Sequence, residues 1–375
     1  MLLMVLYFLL ILCFSIYSFA LVDPNITFFN HPLWTSFRNI MVEFGYNRRQ
    51  DSWLVYLSII ILLFLFNYLF VLRYKKLFLS PFKISLVIGF ILVFSYPFLS
   101  ADFFSYIFYA RITTLYFKTP YTNIPGDFYL DPWLRFTQWT GHNSLYGPVF
   151  FVISLVPSFL GFAKLLPTFL LFKLVTIVFY LLGVWFLQKL NKKWAIMFST
   201  SPLVLVEGLV NGHNDLIAAS LVIVGLYFLF KKKSFLSGLF VFFSIGIKYL
   251  TAPFILVLLK LKRNKLLLLL SVLGILIYWT FKSEIQPWYF IILFGLLPYY
   301  EDLVFRLNIF YFGLLISYFS FVRFGGWGKV LYWTTDQKVA NKHYIIIIFF
   351  CLNLIYLLYI SLFKKSTSNT KVSNH

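Results

Sequence analysis

Side chains able to carry chemistry are gathered in a few short segments of this 375-residue chain. Asp102 offers a carboxylate for proton transfer, and residues 211–215 form a polar and glycine-containing segment one turn after Glu207. Lys248 lies within an apolar run, where an ammonium group requires a nearby anion, either a protein carboxylate or a ligand phosphate. The turn at residues 286–289 adds an amide and two aromatic rings, which suit a sugar. Proton transfer, anion binding and sugar binding are therefore the chemistry that these residues indicate.

The rest of the chain indicates the elements that hold these groups. Hydrophobic residues make up 61% of the sequence and charged residues only 12%, which lies outside the range of soluble globular proteins. The apolar runs are long enough to cross the ~30 Å hydrocarbon core as helices. Residues 266–281 are apolar on every face, unlike the alternating strands of a β-barrel. The sequence therefore predicts an all-α, polytopic integral membrane protein.

The formal net charge of +20 comes from basic residues in short groups between the apolar runs. These groups are Arg73, Lys75 and Lys76; Lys189, Lys192 and Lys193; Lys231, Lys232 and Lys233; Lys260, Lys262, Arg263 and Lys265; and Lys364 with Lys365. Cationic turns of this kind are typical of cytoplasmic loops. The charge therefore predicts the orientation of the chain in the bilayer and implies no nucleic-acid partner.

With these basic groups in the cytoplasm, about ten segments are predicted to cross the bilayer, and two ambiguous segments raise the total to about 10–12. The predicted spans are residues 2–22, 53–72, 84–100, 165–188, 194–210, 216–230, 266–281, 288–300, 303–321 and 344–363. Residues 148–162 are apolar but short, which predicts a half-buried or re-entrant helix. Residues 234–260 are flanked by basic groups on both sides, which predicts a hairpin with Lys248 at its outward tip.

This predicted topology gives one transmembrane domain, residues 1–365, with a large outer loop at 101–147 and a disordered cytoplasmic tail at 366–375. Nine of the twelve Asp and Glu residues fall in predicted outer segments, although acids were not used to orient the chain. These acids are scattered, so a divalent metal is possible in principle but unsupported, and the sequence establishes no cofactor. The functional site is therefore predicted on the extracytoplasmic face of the cell membrane.

Residues 102–116 have the periodicity of an amphipathic helix lying on the membrane surface. Its polar stripe contains Asp102, Ser105, Tyr106, Tyr109, Thr113 and Tyr116, and the opposite stripe contains Phe104, Ile107, Phe108, Arg111 and Leu115. Asp102 is then expected to face the aqueous side, and Arg111 to reach the headgroup level, where its guanidinium suits a phosphate. The structural alternative is an ordinary juxtamembrane helix with Asp102 as its N-cap and Arg111 as its anchor.

The other polar segments also have structural alternatives. Asn214 or Asp215 could cap the following helix instead of binding a ligand. Lys248 could extend to the interface, and Trp288 could belong to an aromatic belt. Glu207 is harder to explain in this way, because an acid at membrane depth is costly and by default marks a functional cavity or a buried partner.

Taken in chain order, the polar segments resemble a known family. The fragments are Asp102-x-x-Ser105-Tyr106-x-x-x-Ala110-Arg111, Tyr121, Tyr146-Gly147-Pro148, Gly212-His213-Asn214-Asp215, Ile247-Lys248-Tyr249 and Gln286-Pro287-Trp288-Tyr289. Over residues 95–300 the chain is similar to the polyprenol-phosphate-mannose-dependent mannosyltransferases of the GT-C superfamily. The likeness is greatest to bacterial α-1,6-mannosyltransferases of lipoglycan assembly and fainter to the catalytic subunit of glycosylphosphatidylinositol mannosyltransferase I.

This resemblance implies a GT-C-like fold, with interfacial helices in the first large outer loop, and a specific reaction. A sugar, mannose by the likeness, would pass from a polyprenyl-phosphate donor to an extracytoplasmic glycan or glycolipid acceptor with inversion at the anomeric carbon. The family's position for the catalytic base matches Asp102. By the same likeness Arg111 and Lys248 are candidates for the donor phosphate, and the remaining substrate-binding candidates are Tyr106, Tyr146, His213, Asn214, Asp215, Gln286, Trp288 and Tyr289. Many members carry paired acids in the first loop, whereas Asp102 stands between Ala101 and Phe103, which leaves metal dependence open.

A membrane transporter or lipid flippase is the rival class, because it too would carry intramembrane charges such as Glu207 and Lys248. Transporters commonly show inverted repeats and sites at mid-bilayer. In this sequence no repeat is visible, and the polar segments gather at one predicted interface. A purely structural membrane scaffold is a third possibility, and it explains neither Glu207 nor residues 211–215.

Overall fold

The computed structural model describes residues 2–259, 263–330 and 332–372, with side chains as far as residue 362. Across these residues the chain is built from helices with no strand longer than an isolated bridge between Val330 and Trp333. The all-α prediction is therefore confirmed. The basic residues Lys260 and Lys262 lie outside the described residues.

The helices follow the apolar runs and end at polar or proline-containing junctions. The α-helices are α1 Leu2–Tyr17, α2 Pro32–Val42, α3 Arg49–Leu72, α4 Pro81–Leu92, α5 Asp102–Tyr116, α6 Pro148–Leu160, α7 Leu165–Leu190, α8 Lys192–Ser199, α9 Asp215–Phe230, α10 Ser234–Ile247, α11 Asn264–Lys282, α12 Leu297–Arg306, α13 Asn308–Ile316, α14 Phe319–Phe324 and α15 Thr335–Val372. Two longer 3₁₀ segments, Tyr249–Leu258 and Pro287–Leu296, and a π-helical turn, Val204–Val210, complete the part of the fold that surrounds the site.

Six helical segments within the described residues are long and apolar enough to cross a membrane. They are Leu2–Leu21, Arg49–Leu72, Leu165–Leu190, Asn264–Lys282, Pro287–Arg306 and Thr335–Leu362. A seventh results if Lys192–Ser199 and Val204–Val210, which meet at 65°, form one broken span. The protein is therefore a polytopic membrane protein, but several predicted spans are shorter than full crossings.

The short helices show where the number of membrane spans predicted from the sequence was too high. The span predicted over 84–100 is helical only within α4, because the chain leaves the helix before Ser95 and Pro97. The span predicted over 303–321 is divided among α12, α13 and α14. Hydropathy alone does not detect these breaks, because the residues beyond them are still apolar and are buried against other helices.

One ambiguous segment forms the predicted hairpin, and the other is a short helix whose re-entrant position in the membrane stays a prediction. The helix α6 is only 13 residues long, and the chain turns sharply after it through Phe162 and Ala163, both with positive φ. The helix α10 packs against the 3₁₀ segment Tyr249–Leu258 as a hairpin, with Lys248 in extended backbone at the tip. The hairpin thus brings the lysine to the end of the helix bundle.

The helix α9 lies at the centre of the bundle and carries the polar segment 211–215 at its start. Every residue from Asp215 to Leu226 is buried, because α7, α10 and Pro287–Leu296 surround it. A helix that is apolar on all sides is stable only in such a fully packed position. The groups at its N-terminal end are therefore held by a rigid element.

The helix α5 differs from the prediction. Residues 103–112 are all buried, so Tyr106 and Tyr109 face packed side chains instead of water. The helix packs against α6 and α7 and is covered by the loop that follows it. The predicted amphipathic stripe was misleading because the outer loop folds back over the helix and supplies a second apolar surface.

Contacts between charged residues agree with the predicted sides of the membrane. Glu301 bonds Lys193 at 2.5 Å, and both were assigned to the cytoplasmic side. Arg135 lies 3.6 Å from Asp23, and both were assigned to the outer side. The backbone of α15 continues to Val372, and residues 373–375 lie outside the described part, so the disorder predicted for 366–375 stays a prediction.

Candidate active site

Asp102 is the first residue of α5. Its side chain contacts Trp139 and His213 and does not cap its own helix. The N-cap position is Ala101, with no side-chain cap, and the Asp102 backbone N–H donates to Ser100 Oγ at 3.2 Å. Its Oδ1 accepts from the Trp139 indole N–H at 3.2 Å, and its Oδ2 lies 3.8 Å from His213 Nδ1. Burial raises the pKa of the Asp102 carboxyl above its ordinary value, while the Trp139 N–H and the positive charge of Lys248 oppose that rise. The N-cap alternative is therefore wrong.

His213 lies between two carboxylates in the loop that precedes α9. Its Nε2 is 3.5 Å from Glu207 Oε2, and its ring stacks on Trp288 with centroids 3.8 Å apart. The imidazole is fully buried, which lowers its pKa well below the ordinary value, and Lys248 acts in the same direction. Asn211 fixes the loop, because its side chain donates to Glu207 Oε2 at 3.1 Å and accepts from Leu99 N–H at 3.2 Å.

Several buried polar atoms in this loop have no hydrogen-bond partner in the described part of the chain. They are both ring nitrogens of His213, both amide atoms of Asn214 and Oε1 of Glu207. Each such atom costs about 1–3 kcal/mol unless a ligand or water completes it. Asn214 occupies the N-cap position of α9 without a side-chain cap bond, so the capping alternative fails for Asn214. The unsatisfied atoms favour a binding role.

Asp215 and Lys248 form an ion pair between the start of α9 and the tip of the hairpin. Lys248 Nζ donates to Asp215 Oδ2 at 2.7 Å and lies 4.8 Å from the Tyr289 ring centroid. The lysine side chain keeps 18% of its surface exposed, whereas the aspartate keeps 5%. The lysine therefore does not merely extend to the membrane interface, and its exposed part can meet an anionic ligand.

A close backbone contact fixes the hairpin tip against the outer loop. Gly147 N–H donates to Ile247 O at 3.1 Å, directly before Lys248. A Cβ at Gly147 would lie 2.1 Å from the carbonyl oxygen of Gly246, which is too close for any side chain. The Tyr146-Gly147-Pro148 turn therefore needs glycine because two backbones meet there.

Aromatic side chains lie on the side of the site that faces the outer loop. The rings of Tyr106 and Tyr146 meet edge to face at 4.7 Å. Burial raises the pKa of both phenols well above the ordinary value, so they remain neutral hydroxyl groups. One face of the Trp288 ring is covered by the imidazole of His213.

A second lysine reaches the site from the last helix. Lys342 Nζ donates to Gln286 Oε1 at 2.8 Å and lies 3.4 Å from Glu284 Oε2. Its side chain is only 2% exposed, so the ammonium depends on these partners. Gln286 is therefore held in place by Lys342.

Lys173 stabilises the backbone that leads into residues 211–215. Its ammonium is fully buried in α7 and donates to Ser95 Oγ at 2.9 Å, to Val210 O at 2.9 Å and to Leu209 O. These two carbonyls end the π-helical turn Val204–Val210. Lys173 thus anchors the backbone directly before residues 211–215.

The structure does not bring Arg111 to this cluster. Arg111 lies nine residues after Asp102 on the same helix, which is about 13 Å along its axis. Its Nε donates to Asp131 Oδ2 at 2.6 Å, and its guanidinium lies 3.9 Å from the Trp133 ring centroid. The side chain is 9% exposed, so the guanidinium holds the outer loop together instead of meeting the donor phosphate that was predicted for it.

The family model described as Alpha-(1->6)-mannopyranosyltransferase, N-terminal domain, matches residues 34–261. The chain belongs to this mannosyltransferase family. No curated protein and no solved structure matches the chain.

The match to this mannosyltransferase family places the protein among the glycosyltransferases and favours a transferase over the transporter or flippase that remained open. The matched region contains Asp102, residues 211–215 and Lys248, but it ends before residues 284–289 and Lys342. The C-terminal side of the site is therefore described by the structure alone.

Sequence reasoning missed Trp139 and Lys342 and did not recognise the role of Lys173. Trp139 gives a weak signal, as a large aromatic residue two positions before the Gly141 turn. Lys173 and Lys342 give a stronger one, because each lysine belongs to an apolar helix. Among the described residues, no group of three or more His, Cys, Asp and Glu side chains is arranged to hold a metal ion.

Proposed function

We propose that this mannosyltransferase transfers mannose from a polyprenyl-phosphate donor to a glycan or glycolipid acceptor on the extracytoplasmic face, with inversion at the anomeric carbon. Asp102 is the general base for the acceptor hydroxyl, and Lys248 stabilises the departing phosphate. One observation carries the proposal. A carboxylate and a partly exposed ammonium flank the same segment, residues 211–215, with Asp102 beside His213 and Lys248 beside Asp215.

The reaction is a single displacement with balanced charges. The acceptor oxygen attacks the anomeric carbon, its proton passes to Asp102, and the bond from that carbon to the phosphate oxygen breaks with its electron pair. The polyprenyl phosphate leaves as an anion. A positioned base of this kind contributes roughly 10²–10⁴-fold to the rate.

The environment of each group supports its role. The raised pKa of Asp102 makes its carboxylate a stronger base than an exposed aspartate. Lys248 is held by Asp215 and by the Tyr289 ring. Its positive charge is therefore already in position when negative charge develops on the departing phosphate. Asn214 presents two unpartnered amide atoms that suit sugar hydroxyl groups.

The test is mannose transfer in membranes containing the full chain, with radiolabelled polyprenyl-phosphate mannose as donor. Asp102→Asn is expected to lower kcat at least 100-fold, because an amide accepts no proton. Asp127→Asn is the matched control, since Asp127 is an exposed acid of the same loop. Transfer at full rate by Asp102→Asn would refute the base assignment. Absence of transfer by the wild type from every polyprenyl-phosphate sugar, together with substrate uptake into vesicles, would favour the transporter.

A further inference from the structure

The imidazole of His213 is enclosed by acids on both of its nitrogens. Asp102 Oδ2 faces Nδ1 at 3.8 Å, and Glu207 Oε2 faces Nε2 at 3.5 Å. Stacking on Trp288, with 16° between the ring planes, fixes the orientation of the imidazole. The backbone N–H of His213 also donates to Glu207 O at 3.0 Å, so the histidine and the glutamate move as one unit.

A neutral imidazole carries one N–H and therefore cannot donate to two carboxylates at once. If Nε2 carries the hydrogen and faces Glu207, then Nδ1 presents a lone pair to Asp102. Two acceptors cannot bond until one of them gains a proton, which agrees with the 3.8 Å separation. The arrangement therefore accepts a proton from the side of Asp102.

We propose that Asp102, His213 and Glu207 form a proton relay in which Glu207 stores the proton removed from the acceptor hydroxyl. The inference rests on the proposed function, since it needs Asp102 to act as the base. When Asp102 gains the proton, its O–H passes it to Nδ1 of His213, and the Nε2 hydrogen passes to the Glu207 carboxylate. The imidazole remains neutral and changes its tautomer. No bond other than these O–H and N–H bonds changes.

The burial of Glu207 explains why the proton is stored there. The Glu207 side chain is fully buried, whereas 18% of the Asp102 side chain is exposed. A proton on Asp102 alone could return to the new glycosidic oxygen and promote the reverse reaction while the cleaved polyprenyl phosphate is still in the site. Transfer to Glu207 separates the proton from the reacting oxygen by the width of an imidazole ring. After product release it returns by the same path to Asp102 and to water.

Other charged and titratable groups within electrostatic reach set the balance of the relay. Lys248 and Asp215 act on Asp102, Lys248 acts on His213, and Lys342, Asp215, Tyr318 and Tyr56 interact with Glu207. The positive charge of the lysines favours the ionised acids, whereas burial and Asp215 favour the protonated ones. The relay operates in the state in which Glu207 is ionised before the reaction begins. Trp139 and Asn211 contribute hydrogen bonds without charge.

The experiment compares Glu207→Gln with the wild type in the mannose-transfer assay across pH. Glutamine keeps the acceptor oxygen for Asn211, so the fold is preserved, but it cannot take up a proton. We expect kcat to fall at least 10-fold with an unchanged KM for the donor. The acidic limb of the profile should also move to lower pH, because loss of the nearby negative charge makes Asp102 easier to ionise. Glu43→Gln is the matched control, at an exposed acid outside the site.

A second variant, His213→Phe, retains the stacking on Trp288 and removes both nitrogens. The third protein carries both Glu207→Gln and His213→Phe. Because the two groups act in series, its kcat should be no lower than the kcat of the slower single variant. Losses that multiply, or an unshifted profile with normal kcat in Glu207→Gln, would overturn the relay while leaving the transferase intact. Absence of transfer by the wild type would overturn the proposed function and the relay with it.

Discussion

The Lys248 ammonium meets the Asp215 carboxylate at 2.7 Å, at the point where the hairpin tip touches the start of the central helix α9. The two residues are 33 positions apart, and the pair joins the buried central helix to a lysine whose ammonium is partly exposed. The position of the cation is therefore set by the core of the protein and not by a flexible loop.

Replacing Lys248 with Gln tests this relation. We expect the KM for a polyprenyl-phosphate donor to rise and kcat to fall, because both the bound and the departing phosphate lose a fixed positive charge. Asp215 loses its partner, so the variant should also unfold more easily, by about 2 kcal/mol. Initial rates and a thermal melt measure the two effects. Lys164→Gln, at an exposed lysine before α7, should behave as the wild type. Unchanged kinetics in Lys248→Gln would contradict the phosphate role.

The indole of Trp139 should set the pH dependence of transfer. Its N–H stabilises the charged form of Asp102 and so lowers the pKa that burial has raised. In Trp139→Phe the pKa of Asp102 rises further, and the carboxylate is then lost at a higher pH as the solution is acidified. The acidic limb of the pH profile of kcat is expected to move to higher pH, and kcat on the plateau at high pH should change little. A limb that stays in place would show that this hydrogen bond does not act on the base.

Removing the ammonium of Lys173 should disturb the site from a distance. In Lys173→Met the carbonyls of Leu209 and Val210 and the hydroxyl of Ser95 lose their common donor in a buried position. Stability should fall by about 1–3 kcal/mol. We also expect kcat to fall, because residues 211–215 follow these carbonyls directly. The melting temperature and the transfer rate in membranes measure the two effects. A stable variant with normal kcat would limit Lys173 to a packing role.

The contact at Gly147 should tolerate no side chain. Gly147→Ala places a methyl group against the Gly246 carbonyl, so the outer loop must separate from the hairpin tip. We expect lower stability together with a strongly reduced rate. Gly141→Ala in the same loop is the control, because no atom lies within 4 Å of its added Cβ. Equal melting temperatures and rates for the two variants would be inconsistent with the close backbone contact.

The side of the membrane that carries the site can be measured by cysteine labelling in a variant without Cys13 and Cys351. Leu145, which is 85% exposed in the outer loop, and Phe78, which is 79% exposed beside Lys75 and Lys76, provide positions on opposite predicted faces. A membrane-impermeant maleimide added to intact cells should label Leu145→Cys at once and Phe78→Cys only after permeabilisation. The reverse pattern would place the site in the cytoplasm.

The sequence by itself determined the class of the protein and indicated most of the residues that the structure brings together in the candidate site. Long apolar runs and basic turns are properties of single segments, so they predict a helical membrane protein without knowledge of the packing. The hairpin at Lys248 was also predictable, because basic groups flank it on both sides. The polar segment 211–215 was predictable because consecutive polar groups between apolar helices are costly unless they bind something.

Only the tertiary structure decided which of these groups meet. Asp102 and His213 are 111 positions apart in sequence. Their approach depends on how α5, packed against α6 and α7, meets the loop before α9, and not on any local period. The same packing turned Arg111 toward Asp131 and buried the polar stripe of α5 under the outer loop. Hydropathy reports how strongly a side chain avoids water, but it does not distinguish a surface covered by lipid from one covered by protein. That distinction, which fixes the pairs of charges in the site, exists only once the helices are assembled.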